Sequence, residues 1–111
     1  MDQVLKKGDY VYHDTFSGLK KVTIISAGKL CAIGKNEHGN IYKLLTLTNG
    51  NYVREQKKHF NGYMLRTKND SLDYEYLRQV LILRIKELNM SGFSVKKLEA
   101  ILSICQSNDI K

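Results

Sequence analysis

The residue pattern of this chain changes once, near residue 70, and the change limits what the chain can fold into. Before it, short β-branched and aromatic runs such as Val22–Ile25 alternate with glycine and asparagine turns, which favours strands of a half-buried sheet. After it, apolar residues recur every three or four positions, which is typical of amphipathic helices. We therefore predict an α+β protein with a β domain over residues 1–69 and a helical domain over 70–111.

The β half contains five or six predicted strands, and its strongest turn signal is Asn49-Gly50. Asn-Gly is typical of a type I′ hairpin, whose two central residues both need positive φ. A small sheet avoids exposed edges best by closing on itself. The prediction is a small SH3-like antiparallel β-barrel over residues 5–68.

The C-terminal half is predicted to be a two-helix hairpin. Asp70 or Ser71 is expected to cap the first helix, which ends near residues 89–92, and Ser94 is expected to cap the second. The apolar face of the first helix is wide. This leaves three interpretations: the helices cap the barrel, they pair with a second copy in a homodimer, or they dock on a partner protein.

The positive charge is unevenly distributed. The 111-residue chain has 18 Lys/Arg and 11 Asp/Glu, a net charge of +7; residues 1–70 have 12 and 6, and residues 71–111 have 6 and 5. A strongly basic surface favours a polyanionic or acidic partner. The β half is therefore expected to bind this partner. An alternative is a helix-turn-helix that places Lys96 and Lys97 in the major groove of DNA, but the helical half that would contain it is almost neutral.

The segment from residue 52 to residue 68 interleaves cations with aromatic rings, as single-stranded nucleic acid requires for its phosphates and bases. The alternative is a solvated loop whose rings face the core. The predicted nucleic-acid-binding residues are Arg54, Lys57, Lys58, Arg66 and Lys68, with Tyr52, Phe60 and Tyr63 as stacking groups and Lys6, Lys7, Lys20 and Lys21 as outlying phosphate contacts.

Catalytic and cofactor motifs are weak in this sequence. His13-Asp14 lacks the further histidines of HD phosphohydrolases, and Glu55-Gln56-Lys57 matches a nuclease element without a partner carboxylate. The spacing of histidines and cysteines predicts no metal site. We expect a non-enzymatic protein with no cofactor.

The cysteines and the apolar runs of the sequence indicate the cellular compartment of the protein. Cys31 and Cys105 lie in separate apolar runs, which predicts two buried free thiols. No apolar run has the length of a secretory signal or a membrane span. A cytoplasmic protein that does not bind membranes is expected.

The segment Leu5-Lys6-Lys7-Gly8-Asp9-Tyr10-Val11-Tyr12-His13-Asp14, with Gly18 following, resembles the start of SH3-like barrels. It is similar to KOW and Tudor-like modules, and most of all to the RNA-polymerase-interacting domain of CarD-like and transcription-repair coupling proteins. The resemblance implies polymerase binding. A short chain rich in Lys, Asn, Ile and Tyr also resembles small bacteriophage proteins.

Two hypotheses of function follow. In the first, the protein is a non-enzymatic module that binds RNA or DNA through its basic, aromatic β face. In the second, it is a phage-type inhibitor or adaptor that binds an acidic surface of a host protein, such as RNA polymerase or a defence nuclease complex.

Overall fold

The structure is a computed structural model that describes residues 2–57 and 62–107. Strands precede helices in these ranges, which confirms the α+β class. The strands are β1 (Asp2–Val4), β2 (Tyr10–Thr15), β3 (Gly18–Ala27), β4 (Cys31–Asn36), β5 (Ile41–Leu45), β6 (Leu47–Asn49), β7 (Tyr52–Arg54) and β8 (Met64–Thr67). The helices are α1 (Asp70–Lys86), a short 3-10 helix (Met90–Gly92) and α2 (Val95–Gln106).

The eight described strands form one antiparallel sheet in the order β1-β6-β7-β8-β2-β3-β4-β5. The two outermost strands of this order, β1 and β5, do not pair with each other, so the predicted barrel closure is not present. A single bridge joins Leu44 of β5 to Glu55, and the Gln56 amide donates to the Lys43 carbonyl at 2.7 Å. The sheet therefore folds back on itself but is not closed, because β7 ends where pairing with β5 begins.

The inner face of the sheet holds the main core. Because side chains alternate along a strand, Val11 points inward and its neighbour Tyr12 points to the opposite face. The inner core consists of Leu5, Val11, Val22, Ile24, Ala32, Tyr42, Leu44, Val53 and Leu65.

The first turns of α1 cover part of the outer face. Leu72 is buried there with Tyr12 and Leu19, and Tyr10 and Tyr76 pack at the margin of this cluster. The chain divides into two compact units at residue 81/82, within α1. The covering turns therefore belong to the same unit as the sheet.

The helix caps are local features that the sequence partly predicts. The Ser94 hydroxyl accepts from the Lys97 amide at 3.2 Å, so the predicted cap of α2 is confirmed. At α1 the acceptor is instead Asn69, whose Oδ1 receives the Leu72 amide at 2.9 Å. The prediction of Asp70 or Ser71 as that cap was wrong.

The β6–β7 hairpin differs from the predicted type. Asn49 pairs with Tyr52, so the two loop residues are Gly50 and Asn51. Gly50 has φ of +64°, and no described non-glycine residue has positive φ. One positive φ at the first loop position is the pattern of a type II′ turn and excludes type I′.

The two cysteines differ in exposure. Both are free thiols; Cys31 is half-buried, whereas Cys105 on α2 is exposed, so the prediction that both are buried was wrong for Cys105. Neither described helix has the length and apolar character needed to cross a membrane.

Candidate nucleic-acid interface

The outer face of β7 and β8 brings three predicted binding residues together. Tyr52 lies opposite Arg66, and Arg54 lies opposite Met64, whereas Val53 between them points into the core. Residues directly opposite in antiparallel strands share one face of the sheet. Tyr52, Arg54 and Arg66 therefore form one surface, which we call the β7–β8 face.

A groove of about 240 Å³ adjoins this face. Tyr52 and Arg54 line it with apolar neighbours, and Tyr52 is 47% exposed. An exposed ring beside a guanidinium suits a base next to a phosphate. The other lining residues are Leu45, Leu47, Asn49 and Met64.

Ion pairs reduce the charge that the predicted cations present. The Arg66 guanidinium lies 2.8 Å from an Asp14 carboxylate oxygen, and the Lys68 ammonium lies 3.6 Å from Asp9. By contrast, Arg54 is exposed and has no ion pair among the described residues. Its charge is therefore the most accessible on the β7–β8 face.

Lys57 lies apart from that face, beside a buried carboxylate. Its ammonium is 3.7 Å from Glu55 Oε2, and Glu55 is almost fully buried. The Glu-x-Lys pair of the sequence is thus a local ion pair. Lys58 and Phe60, also predicted to bind, lie outside the described residues.

Tyr63 belongs to a second locality, at the end of the inner face. Its ring centroid lies 4.3 Å from that of His13, with the planes tilted by 41°. The two rings help line a pocket of about 430 Å³ together with Asp14, Thr15 and Phe16. The interleaved sequence pattern thus separates into two sites, the β7–β8 face and this His13–Tyr63 pocket.

His13 and Phe16 were not among the predicted binding residues. His13 is only 8% exposed, and Phe16 is fully exposed in the β2–β3 turn. Turns favour Gly, Asn, Asp and Ser. A phenylalanine in the turn segment Thr15-Phe16-Ser17-Gly18 is therefore unusual, and it is the sequence signal that could have indicated this site. Recognising the pocket also requires the fold, since residues 13 and 63 are distant in sequence.

The electrostatics of the pocket favour a neutral histidine. Burial lowers the pKa of His13, although the nearby Glu55 carboxylate acts in the opposite direction. Burial likewise raises the pKa of Tyr42, whose hydroxyl oxygen lies 2.7 Å from His13 Nδ1. Both groups are therefore uncharged at neutral pH.

The outlying lysines occupy different surroundings. Lys6 and Lys7 are exposed, and Lys20 is the cross-strand neighbour of His13. The Lys21 ammonium lies 4.2 Å from the centre of the Tyr10 ring.

No cluster of three His, Cys, Asp or Glu side chains suited to a metal occurs in residues 2–57 and 62–107.

Comparison with known protein families, with curated proteins and with solved structures gave no match. The function is therefore argued from the residues themselves.

Proposed function

We propose that this protein is a non-enzymatic cytoplasmic module that binds single-stranded nucleic acid through the β7–β8 face. The observation that carries the proposal is the register that sets Tyr52 beside Arg66, with Arg54 next along the same exposed strand. A ring provides a stacking platform, and guanidinium groups attract phosphates.

The charge distribution supports this choice of face. Residues 1–70, which contain the sheet, carry a net charge of +6 from 12 basic and 6 acidic residues. Phosphate binding releases counterions and makes affinity depend on salt. RNA and DNA both fit this chemistry.

The test is a fluorescence anisotropy titration of labelled single-stranded RNA and DNA between about 50 and 200 mM salt. Affinity should fall steeply as salt rises. Arg54→Glu should weaken binding of all sequences by a similar factor and reduce the logarithmic salt slope by at least about 0.7.

The matched control is Lys35→Glu, which makes the same charge change on an exposed residue of β4. It should weaken binding less than Arg54→Glu does. Equal losses in the two variants would show that overall charge, not the β7–β8 face, determines binding, and absence of salt-dependent binding would exclude the function.

The competing hypothesis is an adaptor or inhibitor whose basic face binds an acidic protein surface. It predicts a complex that survives nuclease treatment of the lysate. Complexes that disappear after nuclease treatment favour the nucleic-acid function.

We also propose that residues 82–107 pair with a second copy of the chain. Nine large apolar side chains in this segment are 37–73% exposed, including Val95 and Ile104 at 73%. Half-exposed aliphatic side chains each offer roughly 50–100 Å², so nine approach the about 800 Å² per partner of a standard interface.

Charge favours a like partner for this segment. Residues 82–107 contain four basic and two acidic residues, a net charge of +2. Two such surfaces repel each other little, whereas an acidic or basic partner would find little complementary charge. Sedimentation equilibrium over a range of protein concentrations tests the association directly.

A further inference from the structure

The His13–Tyr63 pocket has the size and lining of a ligand site. Its volume of about 430 Å³ lies within the range of small-molecule sites, which combine apolar walls with a few fixed polar groups. His13 is more than nine-tenths buried, yet it lines the pocket. Its Nε2 has no hydrogen-bond partner within the described ranges, whereas Nδ1 is engaged by Tyr42.

A chain of hydrogen bonds fixes which ring nitrogen carries the proton. Asn36 Oδ1 accepts from the amides of His38 and Asn40 at 2.9 and 3.0 Å, so the Asn36 NH₂ group faces Tyr42 and donates to its hydroxyl at 3.3 Å. The Tyr42 hydroxyl then donates its own hydrogen to His13 Nδ1 at 2.7 Å. The neutral imidazole therefore carries its proton on Nε2.

The alternative tautomer leaves a buried donor unused. If Nδ1 carried the proton, the Tyr42 oxygen would accept from both His13 and Asn36, and its own hydrogen would have no acceptor. Tyr42 is 5% exposed, and a buried donor without an acceptor is costly. The network therefore presents one N–H donor, His13 Nε2, to the pocket.

The walls of the pocket suit a flat ring. Tyr63 packs against His13 with the ring planes tilted by 41° and is itself 57% exposed, and Phe16, which also lines the pocket, is fully exposed. The exposed Phe16 side chain buries no surface of its own in the fold. It does offer a face on which a ring can stack.

We propose that the His13–Tyr63 pocket holds one planar heterocyclic base, stacked on Phe16 and packed against Tyr63, with a ring acceptor receiving the His13 Nε2 hydrogen. This inference rests on the proposed function, in which the base is an unstacked nucleotide of the bound strand. A free nucleoside has the same ring chemistry and is the other source of such a ligand.

A base fits this pocket better than a bare phosphate does. Asp14 places a carboxylate at the rim, which is 63% exposed and repels an anion. One carboxylate oxygen is bonded to Arg66, and the other can accept from an exocyclic amino group of a base. Lys20, the cross-strand neighbour of His13, lies close enough to the site to attract a flanking phosphate.

The first experiment compares two single-stranded oligonucleotides of equal length, one with bases and one abasic at its central positions. Phe16→Ala and Tyr63→Ala should each weaken binding of the base-bearing strand by about 5- to 150-fold and leave the abasic strand unaffected. Both side chains are exposed, so the fold should tolerate the changes. Tyr74→Ala, an equally exposed tyrosine on α1, is the control and should change neither affinity.

The second experiment follows the His13 imidazole by ¹⁵N NMR during titration with the strands and with a nucleoside that has no phosphate. Binding should shift the Nε2 resonance, and Phe16→Ala should reduce the shift. A shift with the nucleoside but not with any strand supports the pocket and assigns it to free nucleosides, whereas the anisotropy titrations decide separately whether the β7–β8 face binds nucleic acid.

Two outcomes overturn the inference. If base-bearing and abasic strands bind equally and neither Phe16→Ala nor Tyr63→Ala matters, the pocket holds no base, although the β7–β8 face still binds phosphates. If no strand and no nucleoside shifts the His13 Nε2 resonance, the inference fails whatever the anisotropy titrations show.

Discussion

At the scale of single residues, Asp73 is the acceptor that ties α1 to the sheet. The Tyr12 hydroxyl donates to Asp73 Oδ1 at 2.6 Å, and the Tyr10 hydroxyl donates to the same carboxylate at 2.9 Å. The bond from Tyr12 is the largest influence that lowers the pKa of Asp73, with Tyr10, Lys21 and Lys68 adding to it against a smaller effect of burial. The carboxylate therefore stays charged at the contact between α1 and β2.

Tyr12→Phe should lower the free energy of unfolding by about 1.5–3 kcal/mol, the usual contribution of a hydrogen bond to a charged group. Folding depresses the pKa of Asp73, so this stability is fully present above its ordinary pKa of about 3.9 and is lost as pH falls through the lower folded value. Urea denaturation at neutral and acidic pH measures both effects. Tyr74→Phe on the exposed surface is the control, and an equal loss in the two variants would contradict the role of Asp73.

His13 should make the free energy of unfolding depend on pH in a higher pH range than Asp73 does. Burial lowers its pKa in the folded state, so the unfolded chain binds a proton more readily. The stabilising contribution of neutral His13 is complete above the ordinary pKa of about 6.5 and is lost as pH falls towards the folded value. We expect the wild-type protein to lose stability below about pH 6.5 and His13→Phe to lose less over the same interval; parallel pH profiles would contradict this.

The sequence predicts some of these residues and misses others for a physical reason. Tyr52 and Arg54 could be placed on one face because alternation along a strand is local. The ion pair of Arg66 with Asp14, 52 residues away in sequence, depends on how β8 pairs with β2. Register between distant strands decides such contacts, and no local pattern encodes it.

At the scale of elements, the Gln79 side chain joins α1 to β3. Its Oε1 accepts from the Leu19 amide and its Nε2 donates to the Leu19 carbonyl, both at 2.8 Å. The amide thus satisfies both backbone groups of a buried strand residue, as a neighbouring strand would. The Gln79 side chain of α1 therefore occupies the backbone groups of β3 at Leu19.

Gln79→Ala should destabilise the protein by about 1–3 kcal/mol, because it leaves the Leu19 N–H and C=O without partners. Alanine is a better helix former than glutamine, so helix propensity does not cause the loss. Hydrogen exchange of the Leu19 amide should accelerate in this variant. Arg78→Ala, its exposed neighbour, should leave that amide unchanged; equal protection in all three proteins would contradict the role of Gln79.

Local signals predict elements better than their closure into a sheet. The capping Ser94 and the glycine at position 50 were found because a cap or a turn involves a few consecutive residues. Closure was overestimated because it depends on pairing between β5 and the segment after β7, where only the Leu44–Glu55 bridge forms. Short strands such as β1 were missed because three residues show no measurable alternation.

At the scale of the whole molecule, the uneven charge assigns different roles to the two parts of the sequence. The part that contains the sheet carries most of the positive charge, and the segment 82–107 exposes apolar side chains with little net charge. A dimer formed by the second part would carry two β7–β8 faces. Linked sites raise the effective concentration of the second site for a strand long enough to reach both.

The dimer therefore predicts affinity that depends on strand length. Leu102→Lys puts a charge on an apolar side chain that is 56% exposed on α2, so it should shift sedimentation towards the monomer without unfolding the chain. It should then weaken binding of a long strand by about 100-fold or more, the gain expected from bivalency, and leave a short strand unaffected. Ser103→Lys adds the same charge at the next exposed position and should change neither mass nor affinity. Equal losses for short and long strands would mean that Leu102 acts through folding or direct contact, because a charge that only separates two copies cannot change the binding of a strand that reaches one.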